Sequence, residues 1–401
     1  MNEEQLRDRL EAVDVPHSSL QMDALVRAGR RRAFRRRSAQ TAGGAALVTG
    51  VLLAVPLILT KSGPPPAVHT GTGSTTPAPA ATGSVGRCRM TELPVPAGMT
   101  DASALAVDPT GRYIVGNDVV KQDFRPILWT DGQPKALPVI GKSVQATAVN
   151  AGGVVVGVVE DPKQEYVFRY ENGASTRLHT PPGSWHVYPH PAINAAGDII
   201  INAEPSGNIE GKDSIILLWK AGSTTAVRLP VPTEANAFDI TDDGTIVGAM
   251  YTDGHAKTPY AWDQQGNGRK LELPAGQTGS VYAAEGNWAT GGLWPSLKPA
   301  LWNLQTGELT TPATQGPTAA TEREAKLKEP GPGNAVNASG WIVVGPTLYG
   351  SVLRDGAAVE LEAPSGQGGS AHDVSNTGLV VGQAIARGDD GENLGPRLWR
   401  C

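Results

Sequence analysis

Asn236–Pro274 reads NAFDITDDGTIVGAMYTDGHAKTPYAWDQQGNGRKLELP. Four short β-like runs alternate in it with three turn-forming stretches, around Gly244, Gly254 and Gly266. Gly supplies the positive φ that tight turns need, and the Ile, Val, Tyr and Trp between the turns suit a pleated, half-buried surface. Four antiparallel strands joined by three turns form one blade of a β-propeller.

Variants of this stretch recur through the last three quarters of the 401-residue chain. Each has an apolar strand, a turn ending in Gly, and a second strand that usually ends Val-Gly. A third strand then ends in an aromatic residue, and a fourth ends in Leu and Pro. The turn glycines are Gly111, Gly153, Gly197, Gly244, Gly340 and Gly378, with a degenerate copy at Gly286. Trp129, Phe168, Trp219, Trp262, Trp302 and Trp399 end the third strands, with Leu353 in the sixth copy. The spacing from one second-strand end to the next, about 37–54 residues, is blade-sized. Seven copies predict an all-β, seven-bladed propeller over residues 87–401. The small inner strand suits the crowded axis, and the third-strand Trp fills the gap between blades as it widens outward.

Three residues before the turn Gly stand Asp108, Asn150, Asn194, Thr241, Asn337 or Ser375. Side chains of this kind bond their own backbone two residues on. Turn chemistry accounts for them better than a ring of calcium ligands does.

The seventh copy stops at Trp399 without a fourth strand. Met90–Gly98 (MTELPVPAG) matches Arg269–Gly276 (RKLELPAG), the outer strand of the quoted unit. The amino-terminal strand is therefore expected to close the ring on blade seven. The only cysteines, Cys88 and Cys401, then fall at offsets that in the first copy are Asp131 and Gly132, adjacent in one hairpin turn. A Cys88–Cys401 disulfide is expected to replace that turn, contributing on the order of 5 kcal/mol or less in the chain-entropy model and requiring an oxidising compartment.

The net charge is −5, and residues 1–40 carry nine Arg against six Asp and Glu, which leaves the rest at −8. No global basic field points to nucleic acid. The basic run Arg30–Arg37 precedes a stretch without charge, Ser38–Thr60. At about 34 Å as a helix, that stretch can cross a bilayer, and the arginines beside it mark a positive-inside topology. The expected order is a helical cytoplasmic basic stub (1–38), an uncleaved transmembrane signal anchor (39–60), a Pro/Gly/Ser/Thr linker (61–86), and the propeller outside. A cleaved signal peptide is the alternative.

The run Ala-Val-Asn-Ala-Gly-Gly-Val-Val-Val-Gly at 148–157, with Pro259-Tyr260-Ala261-Trp262 and Leu273-Pro274, resembles the HAF-type extracellular repeats of bacterial β-propeller proteins. The arginine-rich stub and single span look like those of bitopic proteins of high-GC bacteria. The resemblance implies a propeller and a surface location and defines no activity.

Propeller ligands dock where loops entering strand one meet loops between strands two and three. The richest entering loop is Gly183–His190, with Trp185, His186, Tyr188 and His190. The other loops add Tyr251, His255 and Trp294, besides Lys121, Phe124 and the acidic Asp389–Glu392. Aromatic rings with a few polar groups suit a peptide or glycan. His186 and His190 lack an acidic partner nearby in sequence, so loop packing is favoured over a metal site. No G-x-S-x-G, P-loop or H-E-x-x-H occurs. The expectation is a membrane-anchored, non-enzymatic module without cofactor that binds an extracytoplasmic protein, peptide or glycan. A transmembrane signalling protein and an envelope polysaccharide hydrolase or lyase are the alternatives. The mixed-charge insertion Ala319–Gly333 is expected to hold a short surface helix.

Overall fold

The computed structural model describes residues 87–162, 164–208, 213–252, 254–312, 331–345, 351–355, 357–386 and 392–401. The expected stub, span and linker lie outside them, as do most of the 319–333 insertion and of the acidic loop at 389–392. Every regular element described is a β-strand.

The strands form seven antiparallel sheets, the blades of a β-propeller. Blades one to six cover 102–136, 143–178, 185–228, 235–270, 278–310 and 333–360. Blade seven takes three strands from 367–400 and its outer strand from Arg89–Glu92. Arg89 pairs with Arg400 and Glu92 with Arg397, and the Leu93 N–H donates to Pro396 O, 3.2 Å. One residue beyond that register, Cys88 and Cys401 are joined, their Cα atoms 4.3 Å apart. The disulfide stands where the other blades have a hairpin turn.

The core follows from the ring. A blade has two apolar faces and can cover both only against its neighbours. Seven separate apolar clusters result, one in each seam between adjacent blades. Across four seams the third-strand Trp does more than fill space. The Nε1–H of Trp129 donates to Pro94 O, that of Trp219 to His179 O, that of Trp302 to Glu272 O, and that of Trp399 to Glu362 O. Each acceptor follows the outer strand of the preceding blade, so a buried donor is satisfied and two blades are latched together. Leu353, in the sixth copy, is buried against the same kind of seam.

The turn residues behave as their types require. Gly111, Gly153, Gly197, Gly244, Gly340 and Gly378 all have positive φ. Asn150 Oδ1 accepts from the Gly152 N–H, and Asn337 Oδ1 from the Ser339 N–H. Their amides reach one blade further, donating to Asn194 O and Ser375 O.

Two readings of the repeat need correction. The second strand does not end at Val-Gly: in blade one it runs from Tyr113 to Val120 through Gly116. In blades one, two, four, five, six and seven the inner strand bulges and its pairing skips one residue, respectively Leu105, Thr147, Phe238, Tyr282, Asn334 and His372. The bulge brings an inner-strand carbonyl so close that a Cβ at Gly116, Gly157, Gly248, Gly291 or Gly382 would lie 1.9 Å from it. Only glycine fits there. Nor does the fourth strand end in Leu and Pro: in blade four it ends at Lys270, ahead of Leu273 and Pro274. Leu93 and Leu271 donate to Pro396 O and Pro259 O in matching places, and Pro274 opens the following turn as Pro96 does.

Blade three breaks the rule. Ile201 occupies the glycine position, pairing with Leu217 as Gly248 pairs with Tyr260, and the inner strand is split into Trp185–Val187 and Ala192–Ile193. With a Cβ at 201, the usual close approach of the inner strand is sterically closed. The next residue, Asn202, grips blade four through its amide, donating to Ala237 O (2.6 Å) and accepting from its N–H (2.8 Å), as Asn117 does with Ala146 of blade two.

Candidate functional site

The inner strands run down the axis from the entering loops to the first turns. In blades one, two, four and seven both residues at the bulge remain partly open while the inner-strand residues just before and after are buried: Leu105-Ala106, Thr147-Ala148, Phe238-Asp239 and His372-Asp373. These side chains line the central channel. The sequence-derived candidates fall around its loop end in two groups.

The first group is on blade three. Trp185 and His186 are not in a loop, as expected from sequence, but in a short strand paired with Ala203–Pro205. His186 does have an acidic partner: Glu165 Oε2 of blade two lies 2.6 Å from its Nδ1. A carboxylate only accepts, so Nδ1 carries the shared proton. The Tyr188 hydroxyl donates to the buried Glu204 carboxylate (3.0 Å), and its ring lies 5.7 Å from that of His186. Trp185 Nε1 donates to Pro181 O. His190 sits in the split of the inner strand, where burial pushes its pKa down to about 4 and keeps it neutral.

The second group straddles blades four and five. Burial raises the Tyr251 phenol to about 12, opposed by a hydrogen bond with Ser280. Tyr282, the bulge residue of blade five, is also raised, first by burial and then by Tyr251. Its ring meets the edge of Phe238 at 5.3 Å and that of Trp294 at 6.2 Å. Trp294 is half-buried and precedes a cis proline. His255 is exposed and pairs with Thr252 in the hairpin that carries Tyr251.

Below the aromatic rings the channel is acidic. Asp239 Oδ1 accepts from the Ile240 N–H and Oδ2 from the Ala284 N–H of blade five. Asp373 repeats this, accepting from Val374 and from Val107 of blade one. Burial raises both carboxyls to about 7, and Glu285 pushes each further up. Both touch the channel and keep some open surface, yet protein encloses them on all sides, so desolvation dominates. Glu285, one turn lower, is itself raised by burial while Asn376 of blade seven donates to it at 2.8 Å. His372 donates Nδ1–H to Ala104 O, and burial lowers its pKa. Among the described residues, no three His, Cys, Asp or Glu side chains gather closely enough to hold a metal ion.

Phe238, Tyr282, Asp239 and Asp373 escaped the sequence reading. The signal was present: in the one place after the bulge, five copies have Ala (106, 148, 192, 283, 335) and two have Asp.

No family model matches the chain, and no curated protein matches it. Solved structures do. TolB from Acinetobacter baumannii is 13% identical, with a TM-score of 0.36; the match covers 75% of this chain, which spans 63% of that one. An oligogalacturonate lyase from Vibrio parahaemolyticus is 9% identical over 80% of this chain and 98% of its own, with a TM-score of 0.49. The Swd1 β-propeller domain from Myceliophteria thermophila is 11% identical over 60% and 78%, with a TM-score of 0.39. At such identities the likeness is one of fold alone.

Proposed function

We propose that this chain is a binding module that holds a polypeptide on the loop end of its propeller, outside a membrane crossed by residues 39–60. The observation that carries the reading is the departure of this face from the repeat. Blade three spends its inner strand on presenting Trp185, His186 and Tyr188, and blades four and five add Tyr251, Tyr282 and Trp294. Rings fixed by hydrogen bonds and packing offer contact area at little entropic cost, which is the chemistry of recognition surfaces. Ionisable groups here are tied to one another or to backbone amides, which suits holding a partner better than attacking one. The tether is supported by the uncharged run Ser38–Thr60 behind the arginine cluster.

The test is photo-crosslinking of the full chain in cells. A crosslinking residue replaces exposed His255 in one strain and exposed Thr110, at the opposite end of the ring, in another. The expected result is one polypeptide captured from position 255 and not from 110. Capture from neither, or equally from both, overturns the reading. Capture of a glycan alone would replace a polypeptide partner with a polysaccharide.

A further inference from the structure

Going down the inner strands from the loop end, the channel presents aromatic rings first and carboxylates second. Trp294 is outermost, then Tyr282 and Phe238 in edge-to-face contact, then Asp239 and Asp373 one residue further along their strands. The ring does not need these carboxylates, because five blades close with Ala in the same place. Among the described residues, none of the ion pairs involves Asp239, Asp373 or Glu285; the charges near Asp239 are Glu285 and Asp373, and those near Asp373 are Glu285 and Asp108. Two enclosed carboxylates of like charge, satisfied by amides but not by a cation, sit beneath three aromatic rings, whose faces are electron-rich. Aromatic faces attract cations, and buried carboxylates ionise fully only when a positive charge joins them.

We propose that the channel mouth receives the cationic side chain, lysine or arginine, of the polypeptide lying across the loop end, with Trp294, Tyr282 and Phe238 flanking its stem and Asp239 and Asp373 taking its charge. This rests on the binding-module reading above and adds which residue type the partner must present. The charge complementarity selects the occupant: a neutral or acidic side chain would leave the carboxylates desolvated and uncompensated.

Proton linkage follows. The carboxyls are raised to about 7, so near neutrality they are partly protonated, and an incoming cation drives the proton off. The other titratable groups facing this part of the axis are His190 and His372, which burial keeps neutral, and Tyr282, whose phenol is raised, so none supplies a compensating charge. Binding therefore strengthens as pH rises through neutrality and weakens below it.

The experiment is calorimetric titration of the full-length chain with a blocked Gly-Gly-Lys-Gly-Gly peptide, its arginine counterpart, the same peptide with Nε-acetyl-lysine, and tetramethylammonium. Saturable binding of the lysine or arginine peptide is expected, at least about tenfold tighter than the acetylated one, with proton release into the buffer. Asp239→Ala with Asp373→Ala introduces the residue the other blades carry, and should weaken binding by about tenfold or more while the melting midpoint holds. Asp239→Asn with Asp373→Asn keeps one acceptor oxygen of the two at each site, removes the charge, and should weaken binding comparably. Equal binding of the acetylated peptide, unchanged binding by both double variants, or the absence of saturable binding overturns the proposal. Tetramethylammonium binding as tightly as the lysine peptide overturns the polypeptide source of the cation. If the peptides fail while the crosslink from position 255 persists, the cation pocket falls and the binding module stands.

Discussion

Blades three and four are neighbours, and one position in their second strands separates their behaviour. Blade four has Gly248 against the bulge at Phe238, and its inner strand runs unbroken from Ala235 to Ile240. Blade three has Ile201 there, and its inner strand parts around Tyr188–Pro191. The first blade shows what the scaffold demands, a place where no Cβ fits. The second shows what is gained by breaking it: Tyr188 and His190 leave the ladder for the channel end, while the Asn202 amide keeps the seam to blade four closed.

The hardest test moves blade three's residue into blade four. Gly248→Ile places a Cβ against Asn236 O, and a loss on the order of 4 kcal/mol is expected in chemical denaturation. A variant as stable as the parent would break the link between that glycine and the bulge. One residue beyond that position, Asn202→Gly removes both hydrogen bonds to Ala237 and is expected to cost about 2 kcal/mol. A gain in stability would refute the clamp.

A third difference between the blades is Asp239 against Ala192. The folded-state pKa of Asp239 is raised above the unfolded value, so its contribution to stability is fully present below about pH 4 and is lost as pH rises through about 7. Asp239→Asn should flatten that part of the melting-midpoint profile across this window. A profile parallel to that of the parent would show that the carboxyl does not titrate there. The smallest effect concerns the turn entering blade four. Glu234 has φ 71° where Gly98, Gly276 and Gly366 serve other blades, so Glu234→Gly should stabilise by about 0.5–1 kcal/mol. A loss would mean that the Glu234 side chain contributes more than its backbone costs.

Much of the scaffold was legible because its signals are local. Turn glycines, third-strand tryptophans and the missing fourth strand each sit at a fixed offset in the chain. The disulfide followed from the same offsets, since Cys88 and Cys401 fall where Asp131 and Gly132 lie in the first copy. The site was less legible because its contacts cross blades. His186 meets Glu165 only after blade two turns back on itself, and Phe238 meets Tyr282 only across a seam. Asp239 was the most hidden. In the run Asp-Ile-Thr-Asp-Asp-Gly it reads as one more turn-forming acid, and only the bulge register turns it to the axis.

The clasp at Cys88 also has a mechanical meaning. Tension on the chain ahead of Arg87 reaches the propeller at a residue bonded covalently to Cys401, at the far end of the ring 313 positions on. A hydrogen-bonded strand at that place would unzip one pair at a time under such a pull. With the bond in place, the force meets a closed covalent loop at a single node, and blade seven cannot be peeled from its outer edge. Reduction of that one bond would convert the attachment from a knot into a zipper.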